Sequence, residues 1–265
     1  MKVLIIGRGR VGHGLRRALA QSEVLEVELR GRATSATRVA KADIIVLTIP
    51  DDAISSVSEQ IAPSLASGSA VLHCAGARGV EELKACKARG AAVGVMHPLV
   101  SFASERATPS LDGTTFTVSG DPEAVAASRA LANACGARVV IARTGDPAYH
   151  AAAALAANGA VGLAFTSVLI LERLGFERRA AERAIGGLLQ TVGQNVQRLG
   201  VPGALTGPVA RGEPDTIARH RTSLRRLGDK ALSTYDAVLP VVVECAKAAG
   251  LPERKATDIL AVRRR

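Results

Sequence analysis

The chain opens Met1-Lys-Val-Leu-Ile-Ile-Gly7-Arg8-Gly9-Arg10-Val11-Gly12, an apolar β-branched run that passes directly into G-x-G-x-x-G. An amphipathic segment follows, with Val11, Leu15 and Leu19 on one face. A strand that ends in this glycine pattern and opens a helix is the arrangement that binds a dinucleotide. Gly7 allows the tight turn, Gly9 lets the backbone approach a pyrophosphate, and Gly12 lets helix and strand pack closely. The free amides of the first helical turn, from Arg10 and Val11 onward, then hold the anion. The plainer alternative is a glycine-rich βα turn without a ligand.

About 20 positions further on, an acid at the tip of the second strand would bond the ribose 2′-hydroxyl of NAD. The chain there reads Val24-Leu-Glu-Val-Glu-Leu29-Arg30-Gly31-Arg32-Ala-Thr34-Ser35, so arginines and hydroxyls stand at the strand tip. A guanidinium suits the extra 2′-phosphate of NADP, because it is always charged and binds phosphate bidentately. NADP is therefore expected in preference to NAD, with Arg30, Arg32 and Thr34 at its phosphate and Arg32 the better-placed arginine. The alternative is that both arginines are solvated surface groups.

At 265 residues the chain has room for one or two domains with a proper core. Only 2% of it is aromatic and it lacks Trp, so the core must be built from Ala, Val, Leu and Ile. A formal charge of +10 would permit nucleic-acid or membrane binding. The arginines, however, are spread from Arg8 to Arg265, and aromatics for base stacking are scarce. Neither a nucleic acid nor a membrane is an expected partner, and the positive charge would draw in an anionic cofactor and substrate. Cys74, Cys86, Cys135 and Cys245 are widely spaced, without C-x-x-C or neighbouring His at metal-ligand spacing. They read as buried thiols of a cytoplasmic protein, with no metal site and no signal peptide. Residues 148–171 hold no acid, Lys or Arg and are long enough to span a bilayer, but they are mostly Ala and Gly and include Tyr149, His150 and Asn158. A helix buried on most sides is the expected form, and its apolar surface leads us to expect a homodimer.

Apolar runs alternate with helical patterns in the first half, predicting strands near 3–6, 25–29, 44–49, 70–74, 92–96, 115–118 and 138–141. The pattern argues an α/β fold, a mostly parallel sheet covered on both faces. Between Arg32 and Asp43 there is little room for the usual crossover helix plus a strand, so the sheet is trimmed there or the crossover is short. Asp146-Pro147 starts a helix, and from it the chain is helical to its end, near 147–173, 177–199, 213–227, 229–249 and 253–262. The Gly/Pro-rich stretch 201–212 reads as a loop. The expected domains are residues 1–146, which bind the dinucleotide, and 147–265, an all-helical substrate and dimerisation domain.

In such sheets the ligand lies beyond the carboxyl ends of the strands. Thr48 and Pro50 end one strand there and could line the cofactor. His73-Cys74-Ala75-Gly76 ends the next, and Met96-His97-Pro98-Leu99-Val100-Ser101-Phe102 the one after. Hydride transfer to or from a polar bond also moves a proton, and His suits that near neutral pH. His97 is the first candidate and His150 the second, with Ser101 nearby. His150 and Asn158 lie about two helical turns apart on one face of a helix that should border an interdomain cleft. Thr206, Arg211 and His220 flank the start of the third long helix, where a substrate anion could be held.

These marks resemble the superfamily of 6-phosphogluconate dehydrogenase, ketopantoate reductase, prephenate dehydrogenase and pyrroline-5-carboxylate reductase. The nearest likeness is to a bacterial branch that joins a Rossmann-like domain to a C-terminal domain of unknown function. It runs over nearly the whole chain. Its marks are His97-Pro98-Leu99 with Ser101-Phe102, Tyr149-His150 with Asn158, and Thr206-Gly207-Pro208 with Arg211-Gly212 and Thr216 to His220. The resemblance implies an NADP-dependent oxidoreductase that acts on a small polar, anionic carbonyl, imine or hydroxyl compound. His97-Pro98 is similar to the histidine motif of prephenate dehydrogenase, where the histidine assists removal of a hydroxyl proton. The hydroxyacid and ketopantoate branches carry a catalytic lysine four residues before the helix asparagine, and Ala154 stands there in this chain. A non-catalytic NADP(H) sensor or regulatory protein is the alternative that this departure keeps open.

Overall fold

The computed structural model describes residues 1–142 and 145–263. Seven strands form: β1 Lys2–Ile6, β2 Glu26–Arg30, β3 Ile44–Leu47, β4 Ala70–His73, β5 Ala92–Pro98, β6 Thr115–Gly120 and β7 Arg138–Ile141. They pair in the order β2-β1-β3-β4-β5-β6-β7. The β5–β6 pair is antiparallel and the other pairs are parallel. The helices of this half are α1 Arg10–Leu19, α2 Ala36–Ala40, α3 Ile54–Ile61, α4 Lys84–Lys87 and α5 Pro122–Ala134. The helical remainder holds α6 Pro147–Arg173, α7 Arg178–Gly203, α8 Pro208–Arg211, α9 Pro214–Leu227, α10 Asp229–Ala248 and α11 Glu253–Val262. This is the α/β sheet followed by helices that the sequence pattern implied.

The short spacer after β2 has the foreseen effect. It makes only the five-residue α2, and the chain crosses back over β1 to β3 without adding a strand outside β2. Strand order therefore reverses between β1 and β3, the crevice where open α/β sheets take their ligands.

Alternation along β1 builds both layers of the core, because successive side chains leave opposite faces of a strand. Val3 and Ile5 pack with Leu15, Leu19, Met96 and Phe116, while Leu4 and Ile6 pack with Ile45, Leu47, Ile61 and Val93. Each such side chain contributes about 1.5–3 kcal/mol by leaving water. Phe116 is among the largest fully buried side chains in a core that is otherwise aliphatic.

Two compact units emerge, Met1–Leu155 and Ala156–Arg265, and the division falls inside α6. Residue 147 marks where the helical run begins, with Asp146 Oδ1 accepting the Ala148 amide at 2.8 Å. In the second unit Val209, Ile217, Leu239, Val243 and Ile259 form a core among α8–α11. Arg221, 6% exposed, locks it: the guanidinium pairs with Asp236 at 2.9 Å and donates to the Val262 and Arg263 carbonyls.

Two expectations need correction here. The stretch 201–212 is not all loop. Pro208 supplies a helix-compatible φ at the first position, and one turn, α8, forms between Gly207 and the left-handed Gly212. Nor is α6 buried on most sides. Only Val168 is buried, while Leu155 and Val161 are 77% and 68% exposed, so much of its apolar surface is left uncovered by the described residues. Among the described residues it is also the one helix long and apolar enough to cross a bilayer.

Candidate functional site

The glycine turn has the shape that its sequence implies. Gly7 takes φ +130°, and a Cβ there would sit 2.3 Å from the Thr48 carbonyl oxygen. At Gly12 a Cβ would fall 1.9 Å from the Gly7 oxygen. Thr48 fastens the turn from β3: its amide donates to Ile6 O at 2.9 Å and its hydroxyl to Gly7 O at 2.9 Å. This explains why β3 stops at Leu47 rather than at residue 49. Gly9 is different, since a Cβ on it would meet nothing within 4 Å. Among the described residues no side chain caps α1, and its first backbone bond is from the His13 amide to Gly9 O at 3.0 Å. The amides of Arg10, Val11 and Gly12 thus begin the helix beside open space, an anion-binding geometry.

At the β2 tip the two arginines differ. Arg30 is held by Glu28, its Nε donating to Oε1 at 2.6 Å, and Arg38 bonds the same carboxylate at 2.8 Å. Arg32 is exposed and has no ion pair or hydrogen bond from its side chain among the described residues. Beside it the Thr34 hydroxyl is buried without a hydrogen-bond partner among the described residues. An unpaired buried hydroxyl costs about 1–3 kcal/mol until an acceptor reaches it. A free cation and an unpaired donor fit the phosphate end of a dinucleotide better than the ribose diol of NAD.

Because β1, β3, β4 and β5 are parallel, their carboxyl ends share one edge with the glycine turn, and His97 stands at the end of β5. Its Nδ1 lies 2.7 Å from the Tyr149 hydroxyl, and the His150 ring is 6.3 Å away, edge-on. Gly76 gives the imidazole its space: a Cβ there would be 2.9 Å from Nε2. Burial and the neighbouring His150 and His73 lower the His97 pKa to about 4, against a weaker pull from Asp51. The ring is therefore neutral near pH 7.

His73 does not compete for this role. It is fully buried, its Nδ1 accepts the Ala75 amide at 3.2 Å, and its Nε2 donates to the Gly79 carbonyl at 3.0 Å. Burial holds it neutral, so it shapes the loop beneath His97.

The other candidates scatter. Pro50 is exposed just ahead of Asp51, and Ser101 is exposed beyond β5. Phe102 folds onto α1, its ring 2.5 Å from where a Gly14 Cβ would lie. Asn158 is exposed on α6 in the second unit. Thr206, Arg211 and His220 also belong to that unit. There Glu213 accepts from both Nε and Nη2 of Arg211, at 2.6 and 3.3 Å, which neutralises its charge locally. His220 lies within α9 rather than at its start and bonds Tyr235 of α10 at 3.1 Å. Three residues near His97 were missed as site residues: Tyr149, Gly76 and Thr117. Thr117 is the cross-strand partner of His97, and its side chain acts on the Tyr149 phenol, partly offsetting the rise in pKa that burial causes. The antiparallel return of β6 produces that neighbour, and no local pattern reveals strand direction.

Comparison with known proteins places these features. Residues 30–98 match a Rossmann-like domain. Residues 114–239 match a domain of unknown function, DUF2520, which therefore takes in β6, α5 and β7 as well as the helices up to α10. No curated protein matches the sequence significantly. Among solved structures, a protein from Thermotoga maritima is 22% identical with a TM-score of 0.67, covering 93% of this chain and 98% of that one. A candidate NADP oxidoreductase from Bacteroides fragilis is 18% identical with a TM-score of 0.64, over 94% of this chain and 97% of that one. Plasmodium falciparum pyrroline carboxylate reductase, with NADP bound, is 14% identical with a TM-score of 0.61, over 99% and 98%. Identities this low show a shared fold. The chain thus matches a Rossmann-like domain over residues 30–98 and a DUF2520 domain over residues 114–239, on a fold that it shares with pyrroline carboxylate reductase.

Proposed function

We propose that this protein is an NADP-dependent oxidoreductase acting on a small polar carbonyl, imine or hydroxyl compound, with His97 handling the proton. The observation that carries the reading is the shared edge of the sheet. It brings together an uncapped helix start beside the open Gly9 and a neutral histidine held at the end of β5. Two structural neighbours, one described as a candidate NADP oxidoreductase and one with NADP bound, add support.

The amides of Arg10, Val11 and Gly12 would hold the pyrophosphate, with Gly7 and Gly12 keeping the turn tight and Thr48 bracing it. Arg32 and Thr34 would hold the 2′-phosphate. The bound nicotinamide would supply or accept the hydride. His97 would give a proton to the substrate heteroatom on reduction and take it back on oxidation, and its burial among Gly76, Tyr149 and His150 limits exchange with bulk water. The test is NADPH oxidation by the purified protein across carbonyl and imine panels, and NADP reduction with hydroxy acids. Turnover with any of them supports the reading. Tight NADPH binding with no turnover on any panel would instead favour a nucleotide sensor.

A further inference from the structure

The structure holds two histidine–tyrosine pairs, and the chain has only two tyrosines. The pairs differ in length. His220 and Tyr235 stand 3.1 Å apart, whereas His97 Nδ1 and the Tyr149 hydroxyl stand 2.7 Å apart. Bonds donated by N–H centre near 2.9–3.0 Å, and those donated by O–H near 2.7–2.8 Å. At 2.7 Å the short pair stands at the lower limit for an N–H donor and at the centre of the range for an O–H donor. The chemistry agrees, because a phenol is a better donor than a neutral imidazole N–H, and an imidazole nitrogen is a better acceptor than a phenol oxygen. Thr117, 2% exposed, is the cross-strand partner of His97, and its side chain acts on the same phenol, partly offsetting the rise in the Tyr149 pKa that burial causes.

We propose that Tyr149 is a positioning residue: its hydroxyl donates to His97 Nδ1 and holds the imidazole as the Nε2–H tautomer. The remaining donor, Nε2–H, is then on the ring edge that Gly76 leaves room for. An imidazole fixed this way donates Nε2–H to a substrate oxygen or nitrogen while neutral. As that proton transfers, the Tyr149 proton passes to Nδ1, so the ring becomes neither imidazolate nor imidazolium, a form that its burial disfavours. The phenolate left behind regains its proton from solvent. Tyr149 and Thr117 approach it from α6 and β6, and His73, His150 and Asp51 are the other titratable groups acting on it. This inference rests on the reading of His97 as the proton-handling group.

Long-range 1H–15N correlation on histidine-labelled wild-type protein near pH 7 reads the tautomer directly, with His97 assigned by its loss in His97→Asn. The expected result is a protonated Nε2 and a bare Nδ1 at His97, and a protonated Nδ1 would overturn the proposal. In Tyr149→Phe the ring stays but the donor is gone, so the Nδ1–H form should appear. The kcat should drop about tenfold while the NADPH Kd and KM stay near wild type. A pure Nε2–H signal persisting in Tyr149→Phe would also overturn it. A His97→Asn protein with full activity would sink the reading of His97 itself, whereas an inactive His97→Asn beside an unaltered tautomer in Tyr149→Phe would sink only the role of Tyr149.

Discussion

Substituting Gly9 separates a glycine kept for a ligand from one kept for folding. Its backbone sits at φ −80° and ψ −175°, which any residue adopts, and a Cβ would meet no atom within 4 Å. The only folding cost of Gly9→Ala is the poorer helix cap, at most about 1 kcal/mol. For a unit of this size that lowers Tm by about 2–4 °C. The added methyl nevertheless stands where a pyrophosphate must meet the helix amides. Losing one charge-assisted bond costs about 1.5–3 kcal/mol, or about ten- to a hundredfold in affinity. Gly12→Ala contrasts with it, because its Cβ would lie 1.9 Å from the Gly7 oxygen and 2.7 Å from the Thr48 hydroxyl. Backbone must move there, so both Tm and binding should fall. Thermal melts paired with NADPH titration read both effects. Wild-type NADPH affinity in Gly9→Ala, or a wild-type Tm in Gly12→Ala, would refute the reasoning.

Three further outcomes are expected. Wild type should bind NADPH more tightly than NADH, and Arg32→Ala should lower NADPH affinity about ten- to a hundredfold while leaving NADH unchanged; equal cofactor affinities in wild type would contradict this. The exposed apolar residues of α6 and α7, among them Val161, Phe165, Leu188 and Val192, should be covered by a second copy; sedimentation should show a dimer at micromolar concentration that Val161→Glu weakens, and a wild-type monomer counts against it. His97 and His73 both have pKa values lowered in the fold, to about 4 for His97, so the unfolded chain binds more protons between there and 6.5. Stability should therefore be complete above pH 6.5 and fall as pH drops toward 4, less steeply in His97→Asn; melts that do not change over that range would show that His97 is not held neutral.

What could be read from the chain was whatever local pattern decides. The run Val3 to Ile6 meeting Gly7 announced both the first strand and the turn, and the few residues between Arg32 and Asp43 announced the trimmed crossover. What stayed hidden depends on partners distant in sequence. Thr117 reaches the site because β6 runs antiparallel to β5, and Tyr149 because the start of α6 brings its ring to His97, 52 positions away. Arg221 looked like one more arginine in a basic chain, yet Asp236 and the carbonyls of Val262 and Arg263 bury it. In the same way Arg30 and Arg32 are equal as letters, and only the position of Glu28 leaves one engaged and the other free. Composition misled at α6, since an apolar helix implies cover without saying which molecule provides it.

The central claim is that His97 handles the proton of a hydride transfer, and single-turnover kinetics of His97→Asn with NADPH and the best substrate from the panel test it most directly. Asparagine keeps a hydrogen-bonding side chain but cannot exchange a proton near neutral pH. The rate of NADPH oxidation should fall about a hundredfold or more, with NADPH affinity and Tm close to wild type. An unchanged rate per folded molecule in His97→Asn, with His150→Asn inactive, would contradict the account and move the chemistry to α6.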